Sequence, residues 1–221
     1  TTYPLALDAP TTKLTAELSG TATSDLGSNR LYVYTWVTAF DEESAPCPIS
    51  GSIYWKPGQT VTLTGFSATP SGRNINRQRI YRAHTSTTGT KLYFIAERVS
   101  STGSFIDSVA IDAFVEELPS LYYNTPLSTL KGLTAMPNGM MAAFSGKELY
   151  FCEPYIPHAW PDSYSLTCDY EIVGLGVFGS SLAVLTKGNP YLVTGSSPDS
   201  MTMEKLEVNL PCINASSIQD M

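Results

Sequence analysis

The sequence predicts an all-β protein that contains a β-sandwich and two or so blades of an incomplete β-propeller. Three observations support this fold class. Charged residues make up 15% of the 221 residues, whereas Gly, Pro and Tyr number 16, 15 and 13, a composition that favours strands and turns over helices. Short segments of alternating polar and apolar residues recur between turn residues. The second half of the chain also matches itself when Gly132 is aligned with Gly174.

One strand is expected before the sandwich, in residues 1–28. The stretch Lys13–Leu18 alternates between Pro10 and Gly20, as a single half-buried strand does. This strand could be part of the propeller that follows later in the chain. The sequence starts at Thr1 and not at Met, so we expect a cut or processed start.

Residues 29–112 are predicted to form the sandwich. Tyr32, Tyr34 and Trp36 share one face of its first strand, and Val61 and Leu63 point inward from another. Each short strand can bury only one face and needs an opposing sheet. The predicted strands are Leu31–Ala39, Thr60–Thr64, Arg79–Arg82, Lys91–Ala96 and Ser104–Asp107. Residues 113–131 are interpreted as a linker, although Ala110–Leu118 could also form a helical turn.

Residues 132–221 are predicted to hold two blades and the start of a third. A repeat of about 40 to 45 residues with four short strands has the size of one propeller blade. The matching segments are Gly132–Met136 with Gly174–Phe178, Met140–Ala143 with Leu182–Leu185, Leu149–Phe151 with Tyr191–Val193, and Tyr164 and Leu166 with Leu206 and Val208. Ser216–Ile218 lies one further period along. A closed propeller needs about four to eight blades, so we expect a fragment of a longer protein, or a chain that a partner completes.

Charge and cysteine content argue against several functional classes. The net charge of −7 and the pI near 4.8 disfavour a surface that coats nucleic acid, because phosphate binding needs clustered Lys and Arg. The sequence contains no run of about 18 apolar residues, so no membrane span is predicted. The four cysteines form no C-x-x-C pair, which favours free buried thiols in a reducing cytoplasm over zinc or a disulfide framework.

No sequence pattern predicts a catalytic residue, a cofactor or a metal site, so we expect a protein that is not an enzyme. A G-x-S-x-G turn is absent, Gly139–Lys147 is too long for a phosphate loop, and no pair of carboxylates stands out. Asp41, Glu42 and Glu43 lack the alternating ligands of a calcium loop and are interpreted as a solvated turn. His84 is interpreted as a surface or structural residue.

Tyr155, His158 and Trp160 are the first group of candidate interface residues. They lie in or beside the loop Pro157–Pro161, and prolines reduce the entropy that a loop loses when it docks. These three side chains could stack on a ligand or a partner. The alternative is that Trp160 covers the end of its own blade.

Arg77, Arg79 and Tyr81 are the second group. They share one face of a predicted strand, so they could form a cationic and aromatic patch that grips an acidic neighbouring subunit or passing DNA. The alternative is that these arginines cover the outer face of a sandwich strand without any partner.

Two sets of short sequence segments resemble parts of bacteriophage proteins. The first set resembles the fibronectin type III-like modules of phage virion proteins and consists of Tyr32–Thr38, Glu42–Pro46, Thr60–Thr64, Arg79–Arg82 and Tyr93–Glu97. Leu130–Gly139 and Glu153–Pro161 resemble the propeller portion of phage and prophage tail proteins of the tail-tube or nozzle type. All of these are strand and turn phrases and contain no catalytic signature.

The resemblance implies a non-enzymatic structural subunit of the virion tail. It would be assembled in the bacterial host cytoplasm, repeat around the tail axis as a homo-oligomer, pack against other virion subunits, lack a membrane span, and meet DNA only indirectly in a tail channel. One alternative is a module that binds host glycan or a surface protein through Tyr155, His158 and Trp160. Another is a propeller-based glycan hydrolase.

Overall fold

The computed structural model describes residues 2–86, 89–110 and 116–218. The chain divides into two compact units, Thr1–Leu121 and Tyr122–Met221. Nearly all regular structure is antiparallel strand, and the helical elements of the described residues are three short 3-10 turns, at Pro137–Gly139, Pro198–Ser200 and Ala215–Ser217. The prediction of an all-β fold is therefore confirmed.

The described residues of the first unit form eight strands in three antiparallel sheets. Two sheets have three strands each, in the orders β1-β5-β8 and β3-β6-β7, and β2 pairs with β4. The strands are β1 Thr15–Gly20, β2 Ser28–Arg30, β3 Tyr32–Thr38, β4 Ile53–Trp55, β5 Gln59–Thr64, β6 Ile75–Ser86, β7 Gly89–Val99 and β8 Phe105–Asp107.

The core of this unit includes side chains from both three-stranded sheets, which gives it a sandwich-like character. Every residue of β3 is buried, and Tyr34 meets Trp36 edge to face at 5.4 Å between ring centroids. On β5, Val61 and Leu63 are fully buried while the neighbouring threonines are half-buried. The inward orientation predicted for Val61 and Leu63 is confirmed.

The boundaries of the first unit differ from the predicted ones at both ends. β1 pairs along its whole length with β5, so this strand belongs to the sandwich, and its assignment to the propeller is wrong. At the other end Leu118 is in the core and donates its backbone N–H to Leu92 O at 2.8 Å. The first part of the predicted linker 113–131 therefore completes the first unit. Residues 111–115 of the possible helical turn lie outside the described residues.

The second unit contains two four-stranded sheets, and in each the strands follow chain order. The first sheet has the order β12-β11-β10-β9 and the second β13-β14-β15-β16. The strands are β9 Lys131–Ala135, β10 Met141–Ser145, β11 Glu148–Phe151, β12 Ser165–Thr167, β13 Ile172–Phe178, β14 Ser181–Thr186, β15 Tyr191–Thr194 and β16 Thr202–Lys205. The repeat in the sequence thus corresponds to two separate sheets of the same topology.

The fourth strands do not follow the offset predicted from the sequence. Leu166 lies opposite Leu149 in the first sheet, whereas Lys205 lies opposite Tyr191 in the second. Val208, the predicted counterpart of Leu166, lies beyond the end of β16. The physical reason is a shorter connection between the third and fourth strands of the second sheet.

Candidate interaction surfaces

The arginines predicted to form a cationic patch are held by carboxylates of their own unit. Arg77 Nη2 lies 2.6 Å from Asp41 Oδ1. Arg79 Nε lies 2.8 Å from Glu97 Oε2, and its Nη1 lies 3.0 Å from Glu43 Oε2. The hydrogen bond from Arg79 holds the pKa of Glu97 below its usual value. The charges of Arg77 and Arg79 are therefore compensated within their own unit, which agrees with the alternative of an outer strand face that needs no partner. Contact of this face with a partner stays a prediction.

Tyr81, the third member of that group, is fully buried. Its hydroxyl donates to Glu43 Oε1 at 2.6 Å, and the same oxygen accepts from Thr35 Oγ1 at 2.7 Å. Burial and the neighbouring Glu43 raise the pKa of Tyr81. Glu43 is only 5% exposed, so the interpretation of this residue as part of a solvated turn is also wrong.

Trp160 is buried in the second unit and does not face solvent. It is 4% exposed and packs with Ala143 and Cys152 on one face of the first sheet. Its Nε1–H donates to Pro157 O at 3.0 Å, and its backbone N–H donates to Asn124 O. Trp160 thus covers its own sheet, as the alternative interpretation of this loop predicts.

Tyr155 and His158 have different environments from Trp160. Tyr155 is 79% exposed at a loop tip, has a positive φ of 62° and donates its backbone N–H to Gly139 O at 2.8 Å. His158 is half-buried and meets the ring of Tyr123 edge to face at 6.0 Å. The three predicted stacking residues therefore do not form one exposed aromatic surface, and Tyr155 is the accessible member.

The remaining reactive groups of the described residues are dispersed. The part of the chain that the structure describes contains no group of three or more His, Cys, Asp or Glu side chains that could hold a metal ion. Cys47, Cys152 and Cys168 are buried thiols without a disulfide, and Cys212 is half-buried. Burial raises the pKa of Cys47 and of Cys168 to about 11, so both are neutral thiols at physiological pH. Within 2–86, 89–110 and 116–218, no helix is long and apolar enough to cross a membrane.

The two sheets of the second unit share one apolar core. The first sheet contributes Ala142 and Phe151 to this core, and the second contributes Leu182 and Val193. The opposite face of the first sheet is covered by Trp160. Both faces of the first sheet are therefore packed within the unit.

The second sheet has a face that the described residues leave partly open. Alternation along β14 and β15 places Ala183, Leu185 and Leu192 on the side away from the core, and all three are half-exposed. Phe178, which lies opposite Ser181 on the same face, is 58% exposed. Ile218 lies against the face at Gly174. We call this surface the open face.

Strand register shows which residues of the first sheet correspond to the open face. Ala142 pairs with Phe151 in the first sheet, and Ala183 pairs with Leu192 in the second. Matching these pairs shifts both strands by the same number of residues, and it also places Tyr150 on Tyr191. The open face is thus the counterpart of the face that the first sheet buries against the second.

This match differs by one residue from the match found in the sequence, which placed Ala142 on Val184. A shift of one residue moves every side chain of a strand to the other face of the sheet. Ala142 and Val184 lie in the same core, between the two sheets. The first sheet contributes to this core the face that carries Ala142, and the second contributes the face opposite to that of Ala183, the counterpart of Ala142. The two sheets therefore stack in the same orientation. The correspondence of Ala142 with Ala183 follows from strand pairing, and the sequence pattern alone does not show it.

A buried charged cluster in the first unit was not predicted. Asp107 Oδ2 accepts hydrogen bonds from Tyr32 OH at 2.8 Å, Arg82 Nη1 at 2.6 Å and Arg30 Nη1 at 3.2 Å. The side chain of Asp107 has no exposed area, and those of Arg82 and Arg30 are 1% and 5% exposed. The available signal was the position of Arg82 and Asp107 at the ends of two predicted strands, Arg79–Arg82 and Ser104–Asp107.

Comparison of the chain with protein-family models finds no match, and comparison with curated proteins finds none either.

Proposed function

We propose that the chain is a non-enzymatic structural component of a phage tail, of the nozzle or tail-tube type, which acts by packing against other subunits. The phrases Leu130–Gly139 and Glu153–Pro161 support this through their resemblance to the propeller portion of tail proteins. The observation that carries the proposal is the open face, because its counterpart in the first sheet is buried by a neighbouring sheet.

Burial of the open face provides a driving force for assembly. Fully burying an exposed Leu or Phe side chain contributes about 1.5 to 3 kcal/mol. Phe178, which is 58% exposed, can gain a large part of this amount, and the half-exposed Leu185 and Leu192 a smaller part. Polar residues, Thr194 and Glu204, border the apolar centre, and an apolar centre with a polar rim is the pattern of a protein interface. We infer that the two sheets are propeller blades and that a further sheet of the same kind covers the open face in the assembled tail.

The first unit supports a packing role in a different way. Several of its arginines form ion pairs with carboxylates of the same unit, such as Arg79 with Glu97. Its edge strand β7 pairs at Tyr93 with Glu117 in an isolated antiparallel bridge. A covered edge cannot pair with stray strands of other chains. We infer that this unit is a rigid module, of the fibronectin type III-like kind, which gives the subunit a fixed shape.

Immunogold electron microscopy tests the proposal. Antibodies against this chain should label the tails of purified phage particles. Particles that carry no label, while the chain stays soluble in the lysate, would contradict a role in the tail. A second arm uses Leu192→Glu, which charges the open face and should prevent incorporation. Val208→Glu is the matched control, because Val208 is a half-exposed apolar residue outside both sheets.

Host glycan or surface-protein binding is a second candidate function, and the exposed ring of Tyr155 favours it. Aromatic side chains at exposed loop tips can stack on sugar rings through their apolar faces. Trp160 does not take part in this candidate because it is buried. A glycan array compares the native chain with Tyr155→Ala: a hit that the substitution abolishes would support binding, and an identical array pattern would remove this candidate.

A further inference from the structure

Arg30, the last residue of β2, is a buried cation held flat against an aromatic ring. Its Cζ lies 3.5 Å from the centroid of the Trp55 ring, and Trp55 is fixed in turn by a hydrogen bond from Nε1 to Gln59 O at 2.8 Å. Stacking occupies a face of the guanidinium and not its N–H groups, which lie in the plane of the group. Nη1 donates to Asp107 Oδ2 at 3.2 Å.

The carboxylate that compensates the charge of Arg30 also accepts hydrogen bonds from other groups. Asp107 is the carboxylate that pairs with Arg30 in the described part of the chain, and it also accepts from Arg82 and Tyr32 and, through Oδ1, from Val109 N at 3.0 Å. Burial and the nearby charge of Arg82 lower the pKa of Arg30. An additional anion beside Arg30 would therefore stabilise its charged form.

Arg30 lines two clefts of the first unit. The larger has a volume of about 500 Å³ and a smaller one measures about 230 Å³. Besides Arg30 and Trp55, the larger cleft is bounded by the exposed Ile106 and Ser108 and by the half-buried Val109. Its volume lies in the range of sites that take small organic ligands, about 300 to 1,000 Å³.

We propose that this larger cleft binds a small carboxylate, with Arg30 as the group that recognises it. Trp55 fixes the plane of the guanidinium, so that a carboxylate can approach its edge and accept two parallel hydrogen bonds. Ile106 and Val109 contact the apolar part of the ligand. Asp107 also lines this cleft, but its charge is compensated by Arg82 at 2.6 Å as well as by Arg30, so the two arginines and one carboxylate leave a net positive charge beside the ligand. This site is independent of the role in the tail.

The test uses benzoate as the probe and benzamide as its neutral counterpart of the same shape. Benzoate should raise the melting temperature and change the Trp55 fluorescence in a saturable way, whereas benzamide should do neither. Arg30→Gln should weaken benzoate binding by about tenfold or more, as expected for a lost charge-assisted hydrogen bond. Arg73→Gln, which alters a partly exposed arginine elsewhere in the unit, should leave binding unchanged.

Ile106→Glu tests the same site with Arg30 in place, so the outcome does not depend on whether Arg30→Gln folds. Ile106 is 57% exposed, and a carboxylate at this position should compete with benzoate and weaken its binding by about tenfold. Equal responses to benzoate and benzamide, or benzoate binding that survives both Arg30→Gln and Ile106→Glu, would overturn the proposal. So would the absence of any response to benzoate in the native chain.

Sedimentation velocity identifies the natural source of the carboxylate. If it is a free small acid, benzoate binds and the sedimentation of the chain stays the same. If it is an acidic side chain of a second copy, copies associate without benzoate and separate when benzoate is added.

Discussion

The buried cluster around Asp107 gives a sharp test of how the first unit is stabilised. Asp107→Asn keeps the size and one oxygen acceptor of the side chain but removes its charge. Two guanidinium groups, of Arg30 and Arg82, then lose the carboxylate that both contact within 3.2 Å. Because all three side chains are at most 5% exposed, water can replace the lost partner only in part.

The expected cost follows from this burial. Removing one partner of a buried ion pair costs about 3 to 5 kcal/mol, a large part of the 5 to 15 kcal/mol that stabilises a typical domain. With a urea m-value of about 1 to 3 kcal/mol per molar, we expect the midpoint of unfolding to fall by roughly 1 to 5 M. Replacing the whole cluster by apolar residues of similar size would cost less, because no charge would be left buried.

Urea titration followed by tryptophan fluorescence measures this loss, since Trp36 and Trp55 report on the first unit. Asp41→Asn is the matched control: it breaks an ion pair of the same kind with Arg77, but the Asp41 side chain is 77% exposed, and exposed pairs contribute little. An Asp107→Asn midpoint that equals that of Asp41→Asn, at an unchanged m-value, would refute the assignment of Asp107 as the centre of a stabilising cluster.

Three further predictions concern thiols, turns and the loop aromatics. A thiol reagent at neutral pH should modify only Cys212 rapidly, because the other three thiols are buried; a titration that gives three fast thiols in the native chain would contradict this. Gly146→Ala should destabilise the second unit by about 1 to 2 kcal/mol through its positive φ alone, and Gly139→Ala should cost more in the same urea titration, because its new Cβ would also lie 2.4 Å from the Tyr155 ring. Trp160→Ala should cost about 3 to 5 kcal/mol by circular dichroism in urea, whereas Tyr155→Ala should leave the midpoint unchanged.

Much of the strand content could be predicted because alternation is a local property. The alternating stretch around Tyr32, Tyr34 and Trp36 became β3, and the inward residues Val61 and Leu63 are fully buried. Each of these predictions needed only neighbouring residues and the two-residue period of a strand. The two separate four-stranded sheets after Leu130 were predictable for the same reason, since each is built from consecutive hairpins.

Long-range pairing was not predictable from these patterns. Alternation says that Lys13–Leu18 is a strand but does not say that β1 pairs with β5. It also cannot identify the partner of a charged residue. Glu43 looked like part of a polar turn, yet it is buried by Tyr81 and Arg79, which come from a strand more than thirty residues away. The burial of Trp160 and Tyr81 was missed for this reason: each was judged by its residue type and not by what covers it.

The open face shows how a local error of one residue changes a functional conclusion. If Ala142 corresponded to Val184, the two sheets would bury equivalent faces against each other, and the pair would be closed, with no reason for a third sheet. The observed pairing makes Ala142 correspond to Ala183, so the open face of the second sheet is the equivalent of the face that the first sheet buries in the shared core. A further sheet of the same kind can pack on the open face in the same way, and the half-exposed Leu185 and Leu192 lie on it. We therefore expect the open face to be the surface through which the chain assembles. A charge at Leu192 should disrupt assembly more than a charge at any exposed position outside the sheets.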